Sequence, residues 1–138
     1  MHQHLERTIA THPHVRGSTN DALLRCVAAC FDCGGTCLAC ADACLGEATV
    51  SDLVQCIRLD HDCADLCFAA GALGTRRTGS NEACLRQAIE LCAAACAVCA
   101  MECERHATMH EHCRICAEAC RECEAACREA AATITPAH

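Results

Sequence analysis

The amino-acid sequence predicts an all-α protein, an antiparallel up-down-up-down four-helix bundle with a cysteine-lined core. Three observations carry this expectation. Cysteines recur at spacings of three and four residues, the rhythm in which a buried helix places leucine, as in CVAACFDCGGTCLACADAC over residues 26–44. Ala, Glu and Arg fill the gaps, most of them good helix formers, and the period-two alternation of a strand never appears. Helix start signals divide the chain into four segments whose short connections force neighbours to run antiparallel.

The elements follow in order. Residues 1–17, with Pro13 and Gly17, are expected to form an N-terminal arm or short helix laid on a bundle of residues 18–138. The arm's His2, His4, His12 and His14 read as solvated rather than chelating. The first bundle helix, 19–46, starts at a capping box of Ser18 with Asp21 and carries Cys26, Cys30, Cys33, Cys37, Cys40 and Cys44. Gly34 and Gly35 inside it cost about 1 kcal/mol each, a sign of close helix approach or a mild bend. Val27, Phe31, Leu38 and Leu45 form an adjoining apolar strip that needs a cover. The second helix, 50–73, repeats the box with Thr49 and Asp52 and carries Cys56, Cys63 and Cys67. The third, 81–106, follows the breaker run LGTRRTGS with Ser80 or Asn81 as cap and holds Cys84, Cys92, Cys96, Cys99 and Cys103. The fourth, 109–132, has Thr108 with Glu111 as its box and holds Cys113, Cys116, Cys120, Cys123 and Cys127.

Composition narrows the function. The chain of 138 residues has two Phe, no Trp and no Tyr, so its 19 cysteines supply much of the apolar content. A net charge of −7 argues against nucleic acid or anionic lipid as partners. No run approaches the ~18 consecutive apolar residues of a membrane span. The N-terminus MHQHLERTIATHPHVRG has no apolar core of a signal peptide, so the expected compartment is the reducing cytoplasm. A disulfide scaffold is disfavoured by the odd cysteine count, the missing export signal and a length beyond the size that needs staples. Cysteines four apart on one helix also point the same way rather than at each other.

Cysteine can act as a small hydrophobe, but that does not explain why nearly all of them take seam positions where Leu would bury more area. The thiols read as metal ligands. Zinc or a general heavy-metal thiolate buffer is one alternative, because five CxxC pairs are present. Eight CxxxC pairs overlap them, however, and a continuous stripe has no boundaries between four-ligand sites. Charge favours a monovalent ion. Filling nineteen thiolates with zinc would leave roughly ten uncompensated negative charges in the interior, each costing several kcal/mol. Cu(I) is soft, monovalent and stable with two or three thiolates, so multiple ions per chain leave the core near neutral. A redox enzyme would need one activated, accessible cysteine beside a base, and none stands out.

The repeated CxxxC and CxxC stripes, the length and the four-helix pattern over about residues 18–132 resemble the bacterial copper storage proteins in their cytosolic form. That resemblance implies Cu(I) storage for copper homeostasis along a thiol-lined core, no enzymatic activity, and assembly as a homotetramer. The seam cysteines would be the ligands. Cys84 departs from the pattern, standing eight residues before Cys92 with Leu85 and Ile89 competing for the seam.

The stripes end differently at the two ends. Past Cys103 the next seam positions are His106 and His110; Asp60 occupies the seam between Cys56 and Cys63, and Met109 continues the fourth stripe. These four residues are expected to form a metal gate at one end. Leu23, Leu73, Leu85 and Ile89 would close the other. His61 and His112 fall off the stripe and are expected to face solvent.

Overall fold

Runs of Ala and Cys separated by Glu and Arg do form helices, and the connections between them set where each begins. The computed structural model describes residues 3–135, so His2 lies outside the described residues. It is all-helical among these, with five α-helices: α1 Gln3–Ala10, α2 Asp21–Leu45, α3 Val54–Thr75, α4 Glu82–His106 and α5 Glu111–Thr133, plus a 3-10 turn at Val50–Asp52. Each long helix packs on two others, α2 on α3 and α5, and α4 on α3 and α5, which closes a ring around a shared interior.

The start signals shift from those expected, for identifiable reasons. At α2 the side chain of Asn20, not Ser18, accepts the Leu23 N–H at 3.1 Å. Before α3 the Thr49 box does not form: its hydroxyl meets His110 Nε2 at 3.5 Å, and the chain makes a 3-10 turn that buries Leu53 before the helix starts at residue 54. Asn81 does not cap α4 with its side chain. It donates instead to the Leu73 carbonyl at 3.1 Å, tying the end of α3 to the start of α4. His110 rather than Thr108 precedes α5, because Met109 and His110 still donate to the His106 carbonyl and prolong the turn.

One end is closed by aliphatic packing. Leu23, Leu85, Ile89 and Ile134 are buried there, while Leu73 is only half-buried. Asn20 Nδ2 donates to Thr133 Oγ1 at 2.9 Å, joining the start of α2 to the end of α5. Helix α1 rests on this end with Ile9 buried and Leu5 packed beside it. Of the arm's histidines, His4 is exposed, His12 and His14 meet edge-on with ring centroids 5.5 Å apart, and His12 Nε2 lies 3.1 Å from Thr78 Oγ1. Part of the apolar strip expected on α2 finds its cover in α3. Phe31 lies over Gly71, Phe68 lies over Gly34, and the two rings sit 6.1 Å apart. Leu38 and Leu45 remain exposed.

Helices α2 and α4, 25 residues each, are long and apolar enough by length and composition to cross a membrane. No run of consecutive apolar residues produces this. Cys and Ala raise the average, and the cysteines concerned, Cys84 apart, face the interior.

The close approach of α2 and α3 generates a test. A methyl on Gly74 would stand 2.5 Å from Val27 Cγ2, a stiff, buried side chain, whereas nothing lies within 4 Å of one on Gly35. Gly74→Ala should destabilise the reduced protein by about 1–3 kcal/mol. Gly35→Ala should stabilise it by up to ~1 kcal/mol through helix propensity. Chemical denaturation followed by circular dichroism should give these opposite signs.

Candidate metal centre

The ring of helices carries the cysteine stripes inward. All nineteen cysteines are free, and all except Cys84 are buried. Cys84 is exposed because Leu85 and Ile89 take the inward positions of that turn. The others form a continuous column of sulfur. Near the closed end Cys26 approaches Cys127 at 3.5 Å, and Cys30 lies 3.7 Å from Cys127 and 3.9 Å from Cys92 and Cys123. In the middle Cys63 and Cys67 meet Cys96 at 3.7 and 3.8 Å, and Cys33 and Cys37 both meet Cys120 at 3.7 Å. Further along, Cys37 meets Cys116 and Cys56 meets Cys103, each at 3.7 Å.

Four-sulfur groups recur along this column with all ligand atoms within 4.8 Å of one another: Cys30/Cys92/Cys123/Cys127, Cys33/Cys63/Cys67/Cys96, Cys33/Cys37/Cys63/Cys120 and Cys37/Cys99/Cys116/Cys120. Cys33, Cys37, Cys63 and Cys120 each belong to two of them. Shared ligands cannot form separate closed tetrahedra, whereas a sulfur between two groups is what a bridging thiolate requires.

Asp60 interrupts the column as the sequence suggested. It is wholly buried on α3, and its Oδ1 accepts S–H bonds from Cys99 at 3.2 Å, Cys116 at 3.3 Å and Cys103 at 3.6 Å. Its Oδ2 is buried with no partner. Burial, reinforced by Cys116, pushes its carboxyl up to about 8. Burial likewise pushes the Cys44 thiol up to about 11 and raises Cys113.

The histidines at this end divide differently from the sequence reading. His112, expected in solvent, points its Nδ1 at Cys40 Sγ (3.4 Å) and Cys113 Sγ (3.6 Å), and with Cys44 these make a further four-ligand group. Its Nε2 lies 2.9 Å from Glu47 Oε2; an N–H donated there leaves the Nδ1 lone pair facing the thiols. The expectation failed because the stripe was projected along a helix starting at 109. In the first turn of α5, at the end of the column, a flanking ring folds over the last sulfurs. The signal was present: His112 stands one helical turn before Cys116. His110 stacks on His112 with ring centroids 5.5 Å apart and puts Nδ1 2.9 Å from the same Glu47 oxygen. His106 Nε2 lies 2.8 Å from Glu102 Oε2, a carboxylate that also accepts from Arg105. The structure therefore ties His106 and His110 to glutamates, and Met109 is 72% exposed. His61 is exposed, as expected.

The sequence profile of the copper storage proteins matches residues 19–132. The chain belongs to the copper storage protein family. Among solved structures it is similar to the copper storage protein Ccsp of Streptomyces lividans loaded with 10 copper equivalents, with 50% identity and a TM-score of 0.88 over 93% of this chain and 98% of that one. The S. lividans cytosolic copper storage protein with five coppers is 53% identical, with a TM-score of 0.81 over 83% and 96% of the two chains. The uncharacterized cysteine-rich protein YhjQ of Bacillus subtilis is 39% identical over 71 residues. That match covers 51% of this chain and 62% of YhjQ. Membership in a storage family accords with a core of buried thiols whose ligands are shared between groups.

Asp60 makes the metal-free family member pH-sensitive. An unfolded carboxyl titrates near 3.8, so from about pH 4 to 8 the folded chain holds a proton that the unfolded chain has released. Stability should therefore fall as pH rises through that window. Relative to Asp60→Asn, which has no such proton to lose, the melting temperature of the reduced protein should drop by at least ~5 °C between pH 5 and 8. Equal pH slopes for the two proteins would show that Asp60 keeps an ordinary carboxyl.

Proposed function

We propose that this chain stores Cu(I) in the cytoplasm, sequestering many ions along its thiol column and returning them on demand, without catalysis. The observation that carries the reading is the sharing of Cys33, Cys37, Cys63 and Cys120 between adjacent four-sulfur groups. Such an arrangement suits bridged Cu(I)–thiolate clusters and defeats separate zinc tetrahedra. The charge argument points the same way, because one monovalent ion per thiolate leaves the interior near neutral. The copper-loaded S. lividans relatives support it.

The fold reading that goes with it is an antiparallel up-down-up-down bundle over residues 18–138, with residues 1–17 as an arm, and four copies assembled as a homotetramer. Pairings such as Cys26 with Cys127 and Cys37 with Cys116 support the antiparallel course of α2 and α5. The ligands are the eighteen buried cysteines with Asp60 and His112. His106, His110 and the thioether of Met109 serve at the open end, where looser binding suits transfer, while Cys84 stands outside the set. Leu23, Leu85 and Ile89 give the opposite end no ligand to offer.

Two measurements test this. Anaerobic titration of the reduced protein against competing chelators should reach roughly 15–20 Cu(I) per chain, about one per thiol. Saturation at four or five ions, with equal retention of Zn(II), would instead establish a tetrahedral buffer. The His106→Ala/His110→Ala double variant should load and release Cu(I) more slowly while keeping nearly the full capacity. Unchanged kinetics would place the passage elsewhere.

A further inference from the structure

The closed end of the bundle holds a cavity of about 220 Å³ between the N-terminal arm and the helices it rests on. Its lining is divided by chemistry. Ile9 of α1, Val15 of the following loop, and Leu23 and Leu24 of α2 are apolar; His14, Ser18 and Arg77 are polar. The loop that walls it is fixed by hydrogen bonds, from the Gly17 N–H to the Ala10 carbonyl at 2.8 Å and from Arg16 Nε to the Pro13 carbonyl at 2.7 Å. An apolar hollow with a few convergent polar groups, formed before anything binds, is the ordinary form of a small-molecule site.

Arg77 supplies the charge. Its Nε donates to the Arg76 carbonyl at 3.1 Å and its Nη2 to Asn81 Oδ1 at 3.0 Å, which sets the plane of the guanidinium. Its Nη1 has no acceptor among the described residues, and no carboxylate there pairs with it. Glu82, in the first turn of α4, accepts instead from the Ser80 hydroxyl. The setting is basic although the chain carries a net charge of −7. Six of the eleven arginines pair with glutamates. Of the five that do not among the described residues, four belong to this end: Arg7 on α1, Arg16 in the loop, and Arg76 and Arg77 just after α3.

We propose that this cavity binds a small amphipathic monocarboxylate, its carboxylate on Arg77 and Ser18 and its alkyl tail among Ile9, Val15, Leu23 and Leu24. A guanidinium held in plane matches a carboxylate better than any other small anion group of one charge. At ~30 Å³ per water the cavity holds the volume of about seven waters, which suits a short tail and excludes a long fatty acid. An inorganic anion leaves the apolar lining unfilled, and a neutral or cationic amphiphile leaves Arg77 unmatched. The bound ligand touches the arm and the bundle at once, so it holds the arm down on the closed end. This site goes beyond the storage reading and does not depend on it.

The test uses the full reduced, metal-free chain. Isothermal titration calorimetry with hexanoate should show saturable one-to-one binding with a Kd on the order of 0.1–1 mM. Acetate, which lacks the tail, and hexylamine, which brings a cation to Arg77, should each bind at least tenfold more weakly. Arg77→Gln should weaken hexanoate binding at least tenfold by removing a charge-assisted hydrogen bond. Arg58→Gln, at the unpaired, exposed arginine near the other end of α3, should leave it unchanged. Val15→Trp, which fills the cavity and keeps Arg77, should abolish binding, and circular dichroism checks that each variant is folded. Saturating hexanoate should raise the melting temperature of the wild type and not of Arg77→Gln. No saturable binding of hexanoate up to ~10 mM, equal affinity for acetate and hexanoate, or equal affinity of the wild type, Arg77→Gln and Val15→Trp would overturn the proposal. None of these readouts involves Cu(I), so failure here would leave the storage function standing.

Discussion

Everything in this protein follows from burying eighteen thiols where a helical protein would ordinarily bury aliphatic side chains. Protonated, a thiol is a small apolar group and packs without penalty. Deprotonated, it is a charge in a dry interior that must be matched at once. The same column is therefore stable empty only when neutral and stable full only with about one positive charge per sulfur. That single requirement selects the helical spacing and the monovalent soft ion.

The scaffold compensates for the small volume of cysteine outside the column. Little aliphatic bulk is available at the axis, so packing strength comes from the flanks and one end. Phe31 and Phe68 interlock with Gly71 and Gly34 between α2 and α3, Val27 lies over Gly74, and Leu23, Leu85 and Ile89 seal one end. These contacts hold the helices in place without any metal. The sulfurs are thereby presented at 3.5–3.9 Å from one another.

The other end mixes thiols with harder oxygen and nitrogen donors. Thiols give way to Asp60 within the column, then to His112 over its last sulfurs, then to His106 and His110, each tied to a carboxylate. A ring nitrogen or carboxylate oxygen holds Cu(I) less firmly than a bridging thiolate. Glu47 orders this end, since one of its oxygens holds both His110 Nδ1 and His112 Nε2, which leaves His112 Nδ1 toward the thiols and His110 Nε2 against Thr49.

The sequence by itself determined the helical class, the inward stripe, the eighteen seam thiols, the misfit at Cys84 and the buried Asp60. All of these follow from the 3.6-residue period, which is a local property of the chain. Only the tertiary structure decided what happens where that period stops. The capping boxes at Ser18, Thr49 and Thr108 did not form because Asn20, a 3-10 turn and the prolonged turn at His106 offered the backbone better partners. His112 turned inward because a residue in the first turn of a helix, at the open end of a column, is not bound by the stripe its neighbours obey. The sharing of Cys33, Cys37, Cys63 and Cys120 between groups was likewise hidden, since bridging depends on the relative stagger of four helices. A periodicity gives the direction of each side chain about its own axis. It says nothing of the heights at which neighbouring axes are aligned.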